Sequence, residues 1–169
     1  MVRFVQLRSL ASLVLQLAIL GALIAAFFVR FPEVSGPSMA PQISSGELVI
    51  INTLAYRFGA PHRGDIVAFH HDGITPATYI KRVIGLPGER IRIDRGAVYI
   101  NGARLAEPYV QHGDDRSVPE TTVPPDSVYV LGDNRAVSED SRIFGPVPKS
   151  DLMGQALAGV WPLGSIGVL

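Results

Sequence analysis

Ser38 sits in the run Ser35-Gly36-Pro37-Ser38-Met39-Ala40-Pro41, flanked by two prolines. Proline fixes φ, and a neighbouring glycine lets the chain turn, so the run holds its hydroxyl on a rigid turn rather than in a regular element. Such a turn can present a hydroxyl and a backbone N–H together, as a nucleophile and an oxyanion donor require. The composition alone is that of an ordinary loop, and a serine nucleophile also needs a base.

A base is available in Tyr79-Ile80-Lys81-Arg82-Val83-Ile84-Gly85-Leu86-Pro87-Gly88. Alternate side chains of a strand share a face, which groups Lys81 with Tyr79 and Val83, and Arg82 with Ile80 and Ile84. One of the two cations must therefore share an apolar neighbourhood. Burial disfavours the charged ammonium and lowers its pKa, and a neutral lysine can take a proton from a serine. A lysine that snorkels or forms an ion pair is the structural alternative. The chain has only two lysines, Lys81 and Lys149, against 13 arginines, and arginine stays protonated and cannot be a general base.

A third segment, Gly132-Asp133-Asn134-Arg135-Ala136-Val137-Ser138-Glu139-Asp140-Ser141-Arg142, is dense in hydrogen-bonding groups. Ion pairs of Asp133 with Arg135 and of Asp140 with Arg142 would brace it as a support for a preorganised site. A solvated turn has the same composition. No metal is expected. There is no cysteine, and His62, His70, His71 and His112 form no His-x-x-x-His pair, with His70 and His71 on opposite strand faces. A formal net charge of +0 speaks against a nucleic-acid surface.

Two kinds of element must position these residues. Residues 9–29 are uncharged and mostly apolar. Roughly 20 such residues in a helix span a bilayer core of about 30 Å. A removable signal peptide is the alternative, although its apolar region is usually about 7–15 residues. Arg3 and Arg8 precede the segment and Arg30 and Glu33 follow it, which favours a cytoplasmic N-terminus. After residue 31, short β-branched and aromatic runs alternate with Gly and Pro. Strands are expected at 47–52, 65–70, 78–84, 89–94, 97–100, 103–105, 127–131 and 155–161, with a hairpin at Asn101-Gly102 and a loop over 106–126. The apolar stretch 54–58 reads as core packing or, if exposed, as a segment dipping into a membrane surface. The fold class is all-β: one N-terminal transmembrane helix (1–30) followed by an antiparallel β-sheet catalytic domain (31–169).

Taken together, Ser38-Met39-Ala40-Pro41, Gly64-Asp65-Ile66-Val67, the run 79–88, and Gly132 to Arg135 with Ser138 to Arg142 resemble the signature boxes of the type I signal peptidases. The boxes stand in the family's order over nearly the whole chain. The resemblance implies a Ser-Lys dyad on an all-β fold that cuts signal peptides from exported preproteins after small residues at −1 and −3, with no cofactor. Ser38 matches the nucleophile and Lys81 the base. Ser138 matches the serine that orients the lysine, and Asp133, Arg135, Asp140 and Arg142 match structural ion-pair positions. The Ser38 N–H would be one oxyanion donor. The implied partners are secretory signal peptides and the lipid bilayer, with a single-pass plasma-membrane location and an extracytoplasmic catalytic domain. The substrate would add as a strand along 35–38 or 78–81, with Val34, Met39 and Tyr79 as pocket walls.

Three positions depart from the pattern. Gly36 stands where some members carry a second serine, Gln42 where threonine is common, and Glu47 where aspartate is common. The competing readings are a specialised anchored Ser-Lys maturation peptidase, of pilus, conjugation or organelle inner-membrane type, and a non-enzymatic membrane-tethered β scaffold.

Overall fold

The computed structural model describes residues 2–71, 77–162, 164 and 167–168. Helix α1 (Val2–Phe28) carries Arg3 and Arg8 in its first turns and then the apolar segment, whose run of Leu and Ala without charge or proline favours a helix. None of its Leu10–Phe28 window is buried inside the molecule. An all-round apolar helix that leaves the core untouched needs another apolar medium.

The remainder is antiparallel β structure. The strands are β1 (Val29–Arg30), β2 (Leu48–Asn52), β3 (Ile66–His71), β4 (Ala77–Gly85), β5 (Arg90–Asp94), β6 (Ala97–Ile100), β7 (Ala103–Arg104), β8 (Val118–Thr122), β9 (Ser127–Leu131), β10 (Val147–Pro148), β11 (Leu152–Trp161) and β12 (Gly167–Val168). Two one-turn helices, α2 (Ala55–Phe58) and α3 (Ser141–Phe144), lie between them. The larger sheet runs β1-β2-β11-β3-β4-β9-β10, with β12 beside β11, and the smaller runs β7-β6-β5-β8.

Residues Ile66 to Phe69 of β3 are all buried, so both faces of the larger sheet are covered. On one face Ile66, Ala68 and Ile80 pack with Val34, Met39, Ile43, Val49 and Ile51. On the other, Val67, Phe69 and Val83 pack with Val128, Val130 and Val147. The smaller sheet buries Ile91, Ile93, Val98 and Ile100 against Ile84, Tyr129 and Leu131. Each face follows the period-2 alternation of its strands.

The expected strands form with ends shifted by at most three residues, 97–100 and 127–131 without any shift, and Asn101 and Gly102 both take positive φ (51° and 86°) between β6 and β7. The segment 106–126 is not wholly loop, because β8 lies inside it and pairs with β5. Its sequence, Val-Pro-Glu-Thr-Thr, lacks apolar alternation, and Pro119 is tolerated because β8 is an edge strand. The stretch 54–58 is core only in part, with Tyr56 half-buried against the Val67 and Phe69 cluster. None of Ala55–Phe58 is buried, and Phe58 is 88% exposed.

Candidate active site

The Ser38 turn is pinned from beneath by core residues. Met39 and Ile43 are buried, the Ile43 N–H donates to Met39 O (2.9 Å), and the Ala40 N–H donates to Pro37 O (3.1 Å). Upstream, the Val34 N–H donates to Glu47 O and the Gly46 N–H to Val34 O, each at 2.8 Å. Two buried apolar side chains, Val34 and Met39, thus bracket a short exposed stretch whose hydroxyl faces β4.

Lys81 comes from β4, where it pairs with Val67 of β3. Its Nζ lies 2.7 Å from Ser38 Oγ, donates to Ile80 O (3.2 Å), and stands 5.3 Å from the centre of the Tyr79 ring. The residue is 3% exposed and forms no ion pair among the described residues. Burial pushes its pKa from 10.5 down to about 8, against the upward pull of Asp140, Glu139 and Asp133, with Arg142 adding to the fall. Desolvation wins because no carboxylate touches the ammonium. The Ser38 N–H donates to no group among the described residues, which leaves it available to an incoming oxyanion.

Strand β9 ends at Leu131, opposite Arg82, so the segment 132–142 emerges beside the dyad. The Asn134 N–H donates to Ser38 O at 3.0 Å. Asp140 accepts from the Gly132 N–H (3.0 Å) and from Arg142 Nε and Nη2 (both 2.8 Å), and Arg142 also reaches Asp114, Arg135 O and Ser138 O. The expected Asp140–Arg142 pair is therefore present, and it ties together the segment that grips the Ser38 carbonyl.

The Asp133–Arg135 pair is not formed. Asp133 instead receives Nε and Nη2 of Arg82 at 2.8 and 2.6 Å, while Arg135 pairs with Glu107 at 2.5 Å and donates to Gly132 O. Residues 133–135 follow the end of β9 on a bent stretch, and each ion meets its partner from another part of the chain, Arg82 of β4 and Glu107. Arg82 also donates to Gly64 O and lies 4.3 Å over the Tyr109 ring. The expected Ser138–Lys81 hydrogen bond is likewise not made. Ser138 is buried, its Oγ has no partner, and Lys81 directs its bonds to Ser38 Oγ and Ile80 O.

Sequence reasoning gave no separate role to Gly132, Arg82, Glu107 or Asp114. Gly132 is the most exacting of them. A Cβ there would stand 2.2 Å from Ser138 Oγ and 2.6 Å from Ser38 O, so only glycine admits this approach. Gly132→Ala is expected to displace the Ser38 carbonyl and lower kcat roughly a hundredfold, the cost of about 1 Å of misplacement. A steady-state cleavage assay on folded protein checks this, and an unchanged kcat would show that the Ser38 turn absorbs the methyl group.

A cavity of about 360 Å³ opens over Ser38 and Lys81, lined by Val34, Met39, Tyr79, Ile80, Val137 and Glu139 among others. The three expected wall residues, Val34, Met39 and Tyr79, do line it. Residues 78–81 of β4 pair with β3 on one side, and β9 pairs with β4 only from Arg82 onward. The second edge of 78–81 therefore faces this groove without a strand partner among the described residues.

Residues 7–161 match the model of the family described as signal peptidase, peptidase S26. The chain is 37% identical over 150 residues to a signal peptidase I from Leptolyngbya laminosa, covering 85% of this chain and 74% of that protein. It is 40% identical over 143 residues to a signal peptidase I from Bacillus caldolyticus, covering 76% and 78% respectively. A solved signal peptidase I from Enterococcus faecalis is 34% identical and covers 57% of this chain and 96% of its own, with a TM-score of 0.48.

Proposed function

The chain belongs to the signal peptidase S26 family and has the signal peptidase I function, and we propose that it performs it through Ser38 as nucleophile and Lys81 as general base. The observation that carries this reading is the 2.7 Å approach of Lys81 Nζ to Ser38 Oγ in a water-poor setting at the floor of a groove.

Neutral Nζ accepts the hydroxyl proton while Ser38 Oγ bonds to the scissile carbonyl carbon. The same short separation serves whichever atom holds the hydrogen. The carbonyl oxygen gains negative charge and accepts the free Ser38 N–H. Collapse of the adduct breaks the C–N bond, and the Lys81 ammonium returns the proton to the leaving amine. Water, deprotonated in turn by Lys81, then attacks the ester carbonyl, the Oγ–C bond breaks, and the Lys81 ammonium returns the proton to Ser38 Oγ. The substrate lies extended along 78–81 and 35–38, completing the unpaired edge by strand addition. Shallow apolar walls from Val34, Met39, Tyr79, Ile80 and Val137 favour small residues at −1 and −3 of a signal peptide.

The proposed topology is an anchor over residues 1–30, with its N-terminus cytoplasmic, and an extracytoplasmic catalytic domain over 31–169 at the plasma membrane. Arg3 and Arg8, in the first turns of α1 ahead of its apolar span, support the orientation, and the exposed apolar surface of that span supports the bilayer. The stretch from the anchor's end to Ser38 is short, eight residues past Arg30. At about 3.3–3.6 Å per residue this keeps the nucleophile near the membrane surface, where a signal peptide's cleavage site emerges.

The test is cleavage of a secretory preprotein by the full chain in detergent, with product masses read at a series of pH values. Cleavage after a small residue at the signal-peptide boundary is expected. Because burial lowers the Lys81 pKa, its neutral fraction grows as pH rises through about 8, so kcat/KM should climb along that limb. At pH 7 roughly a tenth of the lysine is neutral and at pH 9 roughly nine tenths, so pH 9 should be about tenfold faster than pH 7. A rate independent of pH between 6 and 9 would remove Lys81 from the base role.

A further inference from the structure

The unpaired edge of 78–81 has two chemically different sides. Alternate residues of a strand face opposite ways. Ile80 packs into the core with Val34 and Met39, whereas Tyr79 stacks on Phe69 (ring centroids 5.7 Å apart) on the other face of the larger sheet. The chain across the groove alternates likewise, with Val34 buried between the exposed Glu33 and Ser35. Beside Tyr79 stands Glu139, an exposed residue between the buried Ser138 and Asp140. Burial, and after it the Glu139 carboxylate, raise the pKa of the Tyr79 hydroxyl.

Glu33 and Glu139 both line the cavity, and neither forms an ion pair among the described residues. Among the described lining residues the one cation is Lys81, which is buried and bonded to Ser38 Oγ. A strand laid in this groove with small side chains at −1 and −3 directed at Val34, Met39 and Ile80 must send its −2 side chain the opposite way. There it meets the Tyr79 ring and the Glu139 carboxylate, at an open rim that a long side chain can reach.

We propose that Glu139 is a specificity-determining residue, forming with Tyr79 a −2 subsite that favours a basic side chain and disfavours an acidic one. The inference rests on the proposed strand addition of the substrate. The methylenes of a lysine or arginine at −2 would lie on the Tyr79 ring while the charged head reaches Glu139. Glu33 adds negative charge across the groove, and a glutamate at −2 would meet like charge. An exposed ion pair gives up to about a fivefold preference, and like-charge repulsion opposes binding by a similar factor, so lysine over glutamate should come to roughly tenfold.

The experiment uses the full chain in a nonionic detergent and one secretory preprotein with alanine at −1 and −3 and Lys, Gln or Glu at −2. Product masses fix the cleaved bond, and kcat/KM is measured for each substrate. Wild type should rank them Lys, Gln, Glu, with Lys roughly tenfold over Glu at low salt. The ratio should shrink in about 1 M salt, where the screening length falls to about 3 Å. Glu139→Gln should bring the ratio near one, and Glu139→Lys should reverse it. Either substitution also alters the charge felt by Lys81, but that effect is common to all three substrates and cancels in the ratio. A wild-type ratio near one, or a ratio that survives Glu139→Gln, overturns the subsite while cleavage after the −1 alanine stands. Absence of cleavage at that bond removes the groove reading, and the −2 subsite falls with it.

Discussion

Ser38→Ala and Lys81→Met are each expected to abolish preprotein cleavage, yet to move stability in different ways. Removing the nucleophile ends covalent catalysis. Removing the base costs at least the roughly 10²–10⁴-fold that general-base catalysis contributes. The stability effect of Lys81→Met is what separates a catalytic lysine from a structural one. Its pKa is lowered on folding, from 10.5 to about 8, so the folded state binds this proton less tightly than the unfolded state. Protonated Lys81 therefore costs stability in full below pH 8. The cost fades as pH rises from about 8 to 10.5 and is gone above that window. The shift corresponds to about 3 kcal/mol as an order of magnitude, partly offset by about 1 kcal/mol for the lost bond to Ser38 Oγ. Met fills the same space without a charge, so Lys81→Met should raise the urea midpoint at pH 6, with the gain shrinking toward pH 10. Ser38→Ala should change the midpoint little. A Lys81→Met chain less stable than wild type at pH 6 would mean that the lysine holds the fold together and is not a strained base.

The pairing of Ser38 with Lys81 was expected from the resemblance of the four boxes in their order, and the residues alone only hinted at it. Ser38 lies between prolines, and Lys81 is one of two lysines in a chain that otherwise uses arginine and sits in a strand apolar enough to demand burial. The strands were legible in themselves, since β3, β4 and β9 keep strong β-branched runs bounded by Gly and Pro. Strand β8 was not, because an edge strand is specified by its partner β5 more than by its own Val-Pro-Glu-Thr-Thr. The ion pairs show the limit most clearly. Sequence proximity suggested Asp133 with Arg135, whereas the fold brings Arg82 from β4 and Glu107 from a distant loop. Long-range pairing is decided by sheet order, which no local pattern carries. Gly132 was quoted within its motif but could not be given a role, because its demand for a missing Cβ arises from Ser138 and Ser38 closing on it from both sides.

That exchanged pairing yields the largest expected loss of stability. The Arg82 and Asp133 side chains are 9% and 1% exposed and bond through two parallel contacts. Asp133→Ala leaves the guanidinium buried against Tyr109 with Gly64 O as its remaining acceptor, and stranding one member of a buried pair costs about 3–5 kcal/mol. Replacing both members, Arg82→Met with Asp133→Leu, should recover most of that loss, because it is the unpaired charge and not the absent bridge that is expensive. Arg135→Ala combined with Asp133→Ala should instead give the sum of two independent losses, since Arg135 spends its charge on Glu107. Urea unfolding in detergent of the two double variants and of the four single variants they contain (Arg82→Met, Asp133→Leu, Arg135→Ala and Asp133→Ala) measures both cycles. Coupling between Asp133 and Arg82 with additivity between Asp133 and Arg135 is the expected outcome, and the reverse would restore the local pairing that the sequence suggests. Activity should fall along with stability in Asp133→Ala, because Arg82 follows Lys81 on β4 while Asp133 lies between Gly132 and Asn134, which contact the Ser38 carbonyl. The bridge thus joins the strand that carries the base to the segment that holds the nucleophile's backbone, and loosening it should lower kcat even where the fold survives.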